Sequence, residues 1–552
     1  VSDAATGEKL VLANLQFPSE FKVLGLELVP SEPGDMATLP DGTLPLTIEL
    51  TSSLPDPRQA GILILGVIEM ETADMVTSRV VTNPDRVTRI TLDRSSLPTG
   101  KLRITASICG TDGRWSLANA SHTYLNLPAR ESAGKVLNNL VTELLSLQGD
   151  ELFSDQSSQA TVEFNNPRNG WVFFSSTIDD QPGTGKAEIA LQGETKDTII
   201  IHSPGQSTTQ EAMRWLRLGK HVLSVDASVE KLVVRAIPEI SFFRYPASTQ
   251  LPQQKTLFDW KTLQKYVLHN MNSISVAGVM TREPLRSKSQ SELDAWKKEG
   301  KRWYAIGHVP AYKLGGDMTT QQAYEFWADN ACYNDDAWAG LIVDEFSVGD
   351  YPVKTYVPMT EAVRRLTAEF PDKSFLPFCL SMYGAKEVKP FIEAVIDNGS
   401  QFVWEWYERE EPNEERARNK LTSGLVEGMK GWRNLVPEAQ THAILCLGYY
   451  SSPPFSLNEN PAVDYKVWKD MQYQRLATDP TFVGLYGLME WNSKYADEET
   501  VRWQAWLCRH YGIEGKTNLL SEEYGFRYNL THLQNPDFDE GTTGWTVTPA
   551  AG

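Results

Sequence analysis

Carboxylates follow apolar runs at three places in this chain, and their types suit acid–base chemistry. The candidate acids are Asp344 and Glu345, which lie together, Glu405, and Glu490. A carboxylate beside a buried strand is costly unless the strand end opens into a polar cleft. One carboxylic acid can protonate a leaving oxygen while a second carboxylate attacks a carbon, activates water or stabilises positive charge. Such a set predicts hydrolysis of a glycosidic bond.

Tryptophans flank two of these acid positions. Trp404 and Trp406 bracket Glu405, while Trp491 and Asn492 follow the last acid. An apolar ring beside a carboxyl group raises its pKa and helps to keep the acid protonated near neutral pH. Flat rings also suit the C–H faces of sugars, so we expect these side chains in a binding cleft. Because residues alternate in direction along a strand, at least one ring beside Glu405 is expected to face outward.

Other side chains at predicted strand ends complete the expected substrate-binding set. They are Arg244, His308, Tyr407 and Tyr449. For the histidine and the two tyrosines a purely structural role is the alternative, since aromatic rings and hydrogen-bonded histidines are common inside folds. No His- or Cys-rich cluster has the spacing of metal ligands, so we expect no metal and no other cofactor.

The elements that position these residues follow from an alternation of strand-like and helix-like segments. The strand candidates are 241–245, 273–278, 303–309, 340–346, 374–380, 401–407, 442–448 and 482–489. Eight strand-then-helix units in roughly 270 residues predict a (β/α)8 TIM barrel over 239–513, with the acids at the C-terminal ends of strands. Pro377 weakens the fifth unit. The alternative, a doubly wound open sheet, usually carries a Gly-rich phosphate loop, and none is present.

Two β-rich segments precede the predicted barrel, so the fold class is multidomain, all-β followed by α/β. Residues 1–128 alternate short β-type runs with turns, which predicts an antiparallel β-sandwich. Residues 129–159 show apolar residues at helical spacing and predict a helical linker. Residues 160–238 predict a second sandwich or jelly-roll domain. In that domain Trp171 and Trp215 either bind glycan or fill the core.

The last segment, 514–552, is turn-rich and is predicted to be a C-terminal extension. Its run from Asn535 to Trp545 reads NPDFDEGTTGW. This run resembles the opening strand of jelly-roll carbohydrate-binding modules that follow glycosidase domains. Those modules begin with Asn-x-x-Phe-Glu leading to Gly-Trp, and Asp539 stands here in place of the Glu. The resemblance implies the start of such a module.

The amino-acid composition limits the kinds of molecule that the chain is expected to bind. The net charge is −19, with 52 Lys+Arg against 71 Asp+Glu, which disfavours nucleic acid and anionic membranes. No apolar run is long enough to span a bilayer. The five cysteines are scattered, which argues against a disulfide framework. The chain begins at Val1, and we expect a secreted, periplasmic or cell-surface protein whose signal peptide has been removed; the oligomeric state is not indicated.

The whole arrangement resembles barrel glycoside hydrolases with accessory β-sandwich domains. In the large clan of retaining barrel glycosidases, the acid/base Glu ends strand four, usually after Asn, and the nucleophile Glu ends strand seven. Glu345 matches the first position, with Asp344 in place of Asn. The seventh strand, 442–450, has no carboxylate. The resemblance implies Glu345 as the general acid, with Asp344, Glu405 or Glu490 as its partner.

A second group is similar in a different way. Substrate-assisted hexosaminidases carry adjacent Asp and Glu at the end of the fourth strand. There the Glu protonates the leaving group and the Asp orients the acetamido group of the substrate. Asp344 and Glu345 resemble that pair. Three functions stay open: a glycoside hydrolase acting on a poly- or oligosaccharide, a substrate-assisted N-acetylhexosaminidase, and a catalytically silent glycan-binding protein.

Overall fold

A computed structural model of the chain describes most of its residues. They are 21–23, 37–38, 46–51, 60–69, 75–85, 87–92, 97, 100–110, 118–126, 134–153, 159–178, 187–193, 197–203, 207–226, 228–245, 260–276, 285–453, 455–492, 495–530 and 541–546. The module-like run from Asn535 lies largely outside the described residues. The chain divides into two units, Val1–Ser132 and Ala133–Gly552. Among the described residues, no helix is long and apolar enough to cross a membrane.

The first unit contains two sheets. Its strands are β1 (Phe21–Val23), β2 (Ala37–Thr38), β3 (Leu46–Thr51), β4 (Ala60–Glu69), β5 (Met75–Thr82), β6 (Val87–Leu92), β7 (Gly100–Gly110) and β8 (Ala118–Asn126). Strands β1, β3 and β6 form one sheet, and the second has the order β2-β8-β7-β4-β5. All pairs are antiparallel except β2 with β8. Antiparallel sheets are therefore present where the sequence predicts them.

The second unit begins with two antiparallel sheets. Their strands are β9 (Lys135–Val136), β10 (Thr142–Gln148), β11 (Gln159–Asn166), β12 (Gly170–Ile178), β13 (Ala187–Leu191), β14 (Asp197–His202), β15 (Thr209–Leu216), β16 (Gly219–Asp226) and β17 (Val229–Ile237). The orders are β15-β12-β17-β10-β9 and β11-β16-β13-β14. Side chains from both sheets, such as Phe174 and Leu223, share one buried cluster. The sheets therefore pack face to face as a sandwich.

The helical linker predicted over 129–159 is wrong where the structure describes it. Strands β9 and β10 occupy its central part, and only one helical turn, α1 (Gly149–Leu152), follows them. The apolar residues that suggested one helical face divide between two cores. Val141 joins the core shared with the barrel, whereas Leu144 joins the sandwich. Because β10 pairs with β17, tertiary contacts override the local helical pattern.

Eight parallel strands close into a barrel after the sandwich. They are β18 (Glu239–Tyr245), β19 (Ser273–Val276), β20 (Arg302–His308), β21 (Gly340–Phe346), β22 (Ser374–Cys379), β23 (Phe402–Trp406), β24 (Ala443–Tyr449) and β25 (Gly487–Asn492). Each lies at a predicted strand position, although β25 begins later than expected. The closed parallel barrel confirms the predicted TIM-barrel architecture and excludes the open sheet.

Helices follow the barrel strands. The α-helices are α2 (Trp260–Tyr266), α3 (Leu285–Lys298), α4 (Ala311–Leu314), α5 (Thr320–Ala328), α6 (Tyr356–Glu369), α7 (Lys389–Ile396), α8 (Glu414–Lys420), α9 (Glu427–Leu435), α10 (Tyr465–Thr478), α11 (Glu498–Gly512) and α12 (Leu520–Glu523). A π-helical segment, Leu421–Val426, joins α8 to α9. The 3₁₀ turns are Leu268–Asn270, Ala331–Asn334, Val353–Thr355, Met382–Gly384, Lys386–Val388, Ala439–His442 and Pro480–Phe482.

Pro377 fits inside the fifth strand because little of the sheet needs its missing N–H. The pairing of β22 with β23 is confined to Phe378 and Cys379. The proline therefore leaves no ladder bond to that neighbour unmade. The predicted fifth unit stands despite it.

The sandwich closes the N-terminal end of the barrel. Arg302, the first residue of β20, lies over the Trp215 ring, with the guanidinium carbon 4.2 Å from the ring centre. Trp171 is buried at the same interface, with its ring centre 6.0 Å from that guanidinium carbon. Both tryptophans thus join the two domains. The C-terminal end of the barrel, the mouth, is the end left for a site.

Candidate active site

Successive side chains along a β-strand point to opposite faces, and this alternation determines which of the predicted acids lie together inside the barrel. Ile342 on β21 and Val403 on β23 pack inside the barrel. Asp344 and Glu405 lie two residues further along these strands, so their side chains also point inward, at the mouth. Both are partly buried. The structure therefore brings two of the four predicted acids together.

Burial and charge separate the pKa values of these two carboxyl groups. Burial, followed by the negative charge of Glu345, raises the pKa of Asp344 to about 6, while the Glu345 backbone and the Arg244 guanidinium oppose the rise. Burial, followed by the charge of Asp344, raises the pKa of Glu405 to about 8. Asp344 therefore loses its proton first, and its charge then holds the proton on Glu405. At neutral pH the pair contains one carboxylate and one carboxylic acid.

Aromatic side chains surround these two acids. The Tyr407 hydroxyl donates to Glu405 Oε1 at 2.9 Å, a bond that opposes the rise of the Glu405 pKa. The Tyr407 and Tyr450 rings meet edge to face, with their centres 5.6 Å apart. A Cβ atom at Gly448 would lie 2.8 Å from both rings, so glycine makes this contact possible. Trp491 packs inside the barrel, with its ring centre 6.0 Å from that of Tyr407.

Glu345 lies at a bulge rather than in the regular strand. Its φ is +73°, and the register of β21 against β22 shifts between Val343 and Phe346. The side chain is exposed, yet its charge still raises the pKa of Asp344 and of Glu405. Glu345 therefore belongs to the rim of the mouth. Burial raises the pKa of Glu405, whereas Glu345 lies exposed at the rim.

Glu490 faces away from the mouth. Its neighbours Met489 and Trp491 point into the barrel, so Glu490 points to the helix layer, where it is 1% exposed. Burial raises its pKa well above the usual range, and the Lys469 ammonium on α10 opposes that rise. The expected placement of Glu490 beside the other acids is wrong, because the pleat of β25 turns it outward.

Three predicted aromatic ligands also face the helix layer. Trp404 packs against Tyr383 and Trp406 against Trp468, each pair with ring centres 6.3 Å apart. Tyr449 is fully buried in the same layer. Their expected place in the cleft is wrong, because each is one residue away from an inward-facing position. Both tryptophans beside Glu405 face outward, in agreement with the expectation that at least one of them does.

The remaining predicted ligands lie at the ends of barrel strands. Arg244 is exposed, and its charge acts on Asp344. His308 is exposed and in register with Asp344 on the neighbouring strand. Asn492 is in register with Tyr449, and its side chain lies outside the described part of the structure. In the described ranges, no three His, Cys, Asp or Glu side chains are grouped to hold a metal ion.

Two exposed aromatic residues that the sequence reasoning missed follow barrel strands on opposite sides of the mouth. Tyr312, 71% exposed, follows β20, and Phe455, 63% exposed, follows β24. These strands are four places apart in a closed barrel of eight, so their loops lie across the mouth from each other. Phe455 also contacts Tyr495 edge to face at 5.1 Å. The available signal was an aromatic residue shortly after a strand, and spacing alone does not separate such a residue from a core aromatic.

No protein-family model matches the chain, and a search of curated proteins found no similar sequence. Solved structures are similar at low identity. A ruminal GH26 endo-β-1,4-mannanase is 10% identical with a TM-score of 0.29, over 69% of this chain and 98% of its own. A D-psicose 3-epimerase from Clostridium cellulolyticum H10 is 12% identical with a TM-score of 0.30, over 50% and 98%. The GH53 catalytic domain of Ignisphaera aggregans is 12% identical with a TM-score of 0.27, over 43% and 77%. Similarity this weak indicates neither a reaction nor a substrate.

Proposed function

We propose that this chain is a glycoside hydrolase that cleaves a poly- or oligosaccharide at the mouth of its barrel. The observation that carries the proposal is the inward-facing pair of Asp344 and Glu405, with pKa values of about 6 and about 8. Glycosidic cleavage needs a protonated acid and a carboxylate at the same bond. Environments that push two pKa values apart assign those two roles.

Glu405 is the proton donor to the leaving-group oxygen, and Asp344 is the carboxylate that activates water or attacks the anomeric carbon. The Tyr407 hydroxyl fixes the Glu405 carboxyl group through its hydrogen bond. Trp491 and Tyr450 are apolar walls for the sugar beside the reacting bond. The family resemblance implied Glu345 as the proton donor, and we assign that role to Glu405 instead.

Aromatic residues across the mouth support a substrate longer than one sugar. Tyr312 and Phe455 are exposed on opposite sides, so a chain that crosses the acids can contact one ring on each side. A polymeric substrate also fits the secreted, periplasmic or cell-surface location expected from the sequence, because an enzyme at such a location can reach polysaccharides outside the cell.

One observation keeps the substrate-assisted N-acetylhexosaminidase as the second candidate. The Glu345 charge acts directly on the pKa of Asp344, so the adjacent pair shares the mouth. In that mechanism Glu345 is the proton donor and Asp344 orients the acetamido group. The two candidates therefore differ in which glutamate protonates the leaving group.

Release of sugar from soluble neutral polysaccharides and from aryl glycosides, N-acetylhexosaminides included, tests the proposal. The variants are D344N, E405Q and E345Q, with D350N as the control because Asp350 is an exposed acid shortly after β21. E405Q should lose about 10²–10⁴-fold in kcat/KM for poor leaving groups and less for activated aryl glycosides. D344N should lose activity on both, and D350N should match the wild type.

Two other results would redirect the assignment. A larger loss in E345Q than in E405Q, confined to N-acetylhexosaminides, would favour the substrate-assisted mechanism. Binding of glycan by the wild type without any cleavage would favour the silent binding protein and contradict the hydrolase.

A further inference from the structure

Two exposed aromatic rings stack on each other on the outer wall of the barrel. Trp506 on α11 is 44% exposed, and Tyr524, directly after α12, is 52% exposed. Their planes differ by only 7°, and their ring centres are 5.7 Å apart. Single exposed apolar residues need no explanation, but adjacent parallel rings form a continuous apolar surface.

Aromatic neighbours hold both rings in place. Trp503 is 2% exposed and contacts Trp506 and Tyr524 edge to face, with ring centres 6.1 and 5.8 Å away. Phe526 stacks on Tyr524 with 5.8 Å between the ring centres. The two exposed rings are therefore preorganised, and a ligand that rests on them does not have to order them first.

The charged side chains around these rings are already paired with each other. Lys466 Nζ lies 2.7 Å from Glu499 Oε1, and Arg502 pairs with Glu498. Two cations and two anions cancel, so this border offers hydrogen-bonding groups without a net charge. With Trp503, Trp506 and Phe526 they line an open depression of about 520 Å³. That size lies within the roughly 300–1,000 Å³ of small-molecule sites.

We propose that this depression is a second carbohydrate site, which binds a neutral oligosaccharide segment against the Trp506 ring, on which Tyr524 stacks. A sugar ring has apolar C–H faces and hydroxyl groups around its edge. These match flat apolar rings bordered by side-chain donors and acceptors. Tryptophan and tyrosine supply such contact area with little loss of conformational entropy.

Other occupants fit this surface less well. A charged small molecule would have to compete for ionic groups that already have partners. A protein partner would bury two ion pairs, whose desolvation is costly, and charged residues are depleted at the cores of protein interfaces. A neutral polyhydroxylated ligand neither competes for the paired ionic groups nor requires burial of the ion pairs. It leaves both ion pairs at the edge, in contact with water.

This second site does not depend on the proposed hydrolase function. Its residues lie on α10, α11 and the segment after α12, whereas Asp344 and Glu405 lie on β21 and β23 inside the barrel. If both sites bind one polymer, the outer site raises the effective concentration of chain near the mouth. Its loss should then affect polymers and leave small substrates unchanged.

Affinity electrophoresis of the full chain through gels that contain a soluble neutral polysaccharide tests the proposal. The probes are a β-1,4-glucan, a β-1,4-mannan, a β-1,4-xylan and an α-1,4-glucan. Trp506→Ala should weaken retardation in at least one gel by about two- to tenfold in Kd, the contribution of one aromatic contact. Trp506→Phe should keep most of the binding because it keeps a flat ring.

The control is Leu218→Ala, which removes an exposed apolar side chain from the sandwich, 63% exposed, and should bind as the wild type does. Thermal melting of each variant shows that it is folded. Binding should be insensitive to sodium chloride, and hydrolysis of aryl glycosides by Trp506→Ala should equal that of the wild type. D344N should keep the retardation that Trp506→Ala loses, which separates failure of this site from failure of the hydrolase.

Three results would overturn the proposal. The first is equal retardation of the wild type and Trp506→Ala in all four gels, including none in any. The second is binding that disappears at high salt, which would indicate an ionic ligand. The third is concentration-dependent self-association that Trp506→Ala abolishes, which would make this surface an interface between copies of the chain.

Discussion

The Tyr407 hydroxyl and the Asp344 carboxylate act on Glu405 in opposite directions. The hydrogen bond favours the ionised form of Glu405, and the neighbouring charge disfavours it. Burial adds to the effect of the charge, so the proton stays on Glu405 through neutral pH. Each of the two contacts can be changed separately, and the direction of each effect on the pKa is fixed.

Tyr407→Phe should move the alkaline limb of the kcat/KM profile to higher pH. The variant keeps the ring but removes the donor that stabilises ionised Glu405, so the pKa of Glu405 rises. Rates measured across pH 5 to 10 on one aryl glycoside check this, with Tyr312→Phe at the rim as the control. A limb that stays in place, or moves to lower pH, would show that this hydrogen bond does not tune the acid.

Glu405→Gln should be more stable than the wild type at alkaline pH. The pKa of Glu405 is about 8 in the folded state against an ordinary 4.5, so the folded protein keeps a proton that the unfolded chain has released. The Glu405 carboxyl group therefore lowers the stability of the wild type as the pH rises from about 4.5 to 8, and the Gln variant lacks that contribution. Calorimetry should show a higher Tm for the variant at pH 8 and a smaller difference at pH 4. A difference that is the same at both pH values would contradict the raised pKa.

At the scale of elements, the apolar runs predicted every barrel strand, but they did not predict which side chains reach the mouth. Runs of buried residues locate a strand to within a few positions. A shift of a single residue, however, reverses the face of the sheet to which a side chain points. Glu490 and Trp406 were misplaced for this reason. Glu405 faces the barrel interior because it lies two residues after Val403, which packs there.

The bulge at Glu345 lies beyond what spacing can predict, because it depends on a local backbone conformation. Asp344 faces inward with the regular pleat, and Glu345 leaves the pleat at φ +73°. Side chains other than glycine adopt this region at a cost of about 1–3 kcal/mol. Two adjacent acids therefore differ in burial: Asp344 is partly buried at the mouth, and Glu345 is exposed at its rim.

Glu345→Gly should leave the free energy of unfolding unchanged to within about 1 kcal/mol, because glycine adopts a positive φ without strain. Glu345→Val should lower it by about 1–3 kcal/mol, since a β-branched side chain fits this conformation poorly. Urea unfolding measures both. Any change of activity in the glycine variant then reports on the lost carboxylate. Equal destabilisation by glycine and valine would show that the bulge does not need a left-handed residue.

At the scale of the whole molecule, the sequence predicted β domains followed by a barrel but not how the sandwich and the barrel join. The apolar residues around Leu140 have helical spacing, yet they lie where sandwich and barrel meet, and one side chain there arranges the backbone. The Asn138 amide donates to the carbonyls of Tyr511 and Lys516 at 2.9 Å. Its oxygen accepts from the backbone N–H groups of Leu140 and Val141. Long-range partners of this kind leave no periodic signal in the sequence.

Asn138→Ala should lower the free energy of unfolding of the second unit by about 3 kcal/mol or more, because each buried group left unpaired costs about 1–3 kcal/mol. The matched control is Asn398→Ala, since Asn398 is exposed and donates only to the carbonyl of Ala394 among the bonds described. Denaturant unfolding followed by tryptophan fluorescence compares the two. Equal, small effects would mean that Asn138 does not tie the sandwich to the barrel.

The most direct test of the acid pair is the pH dependence of kcat/KM for a glycan that the wild type cleaves. The account predicts a bell-shaped profile for the pair, with an acid limb near pH 6 as Asp344 gains a proton and an alkaline limb near pH 8 as Glu405 loses one. In Glu405→Gln the residual activity should lose the alkaline limb and keep the acid limb. An alkaline limb that persists unchanged in that variant would contradict Glu405 as the proton donor.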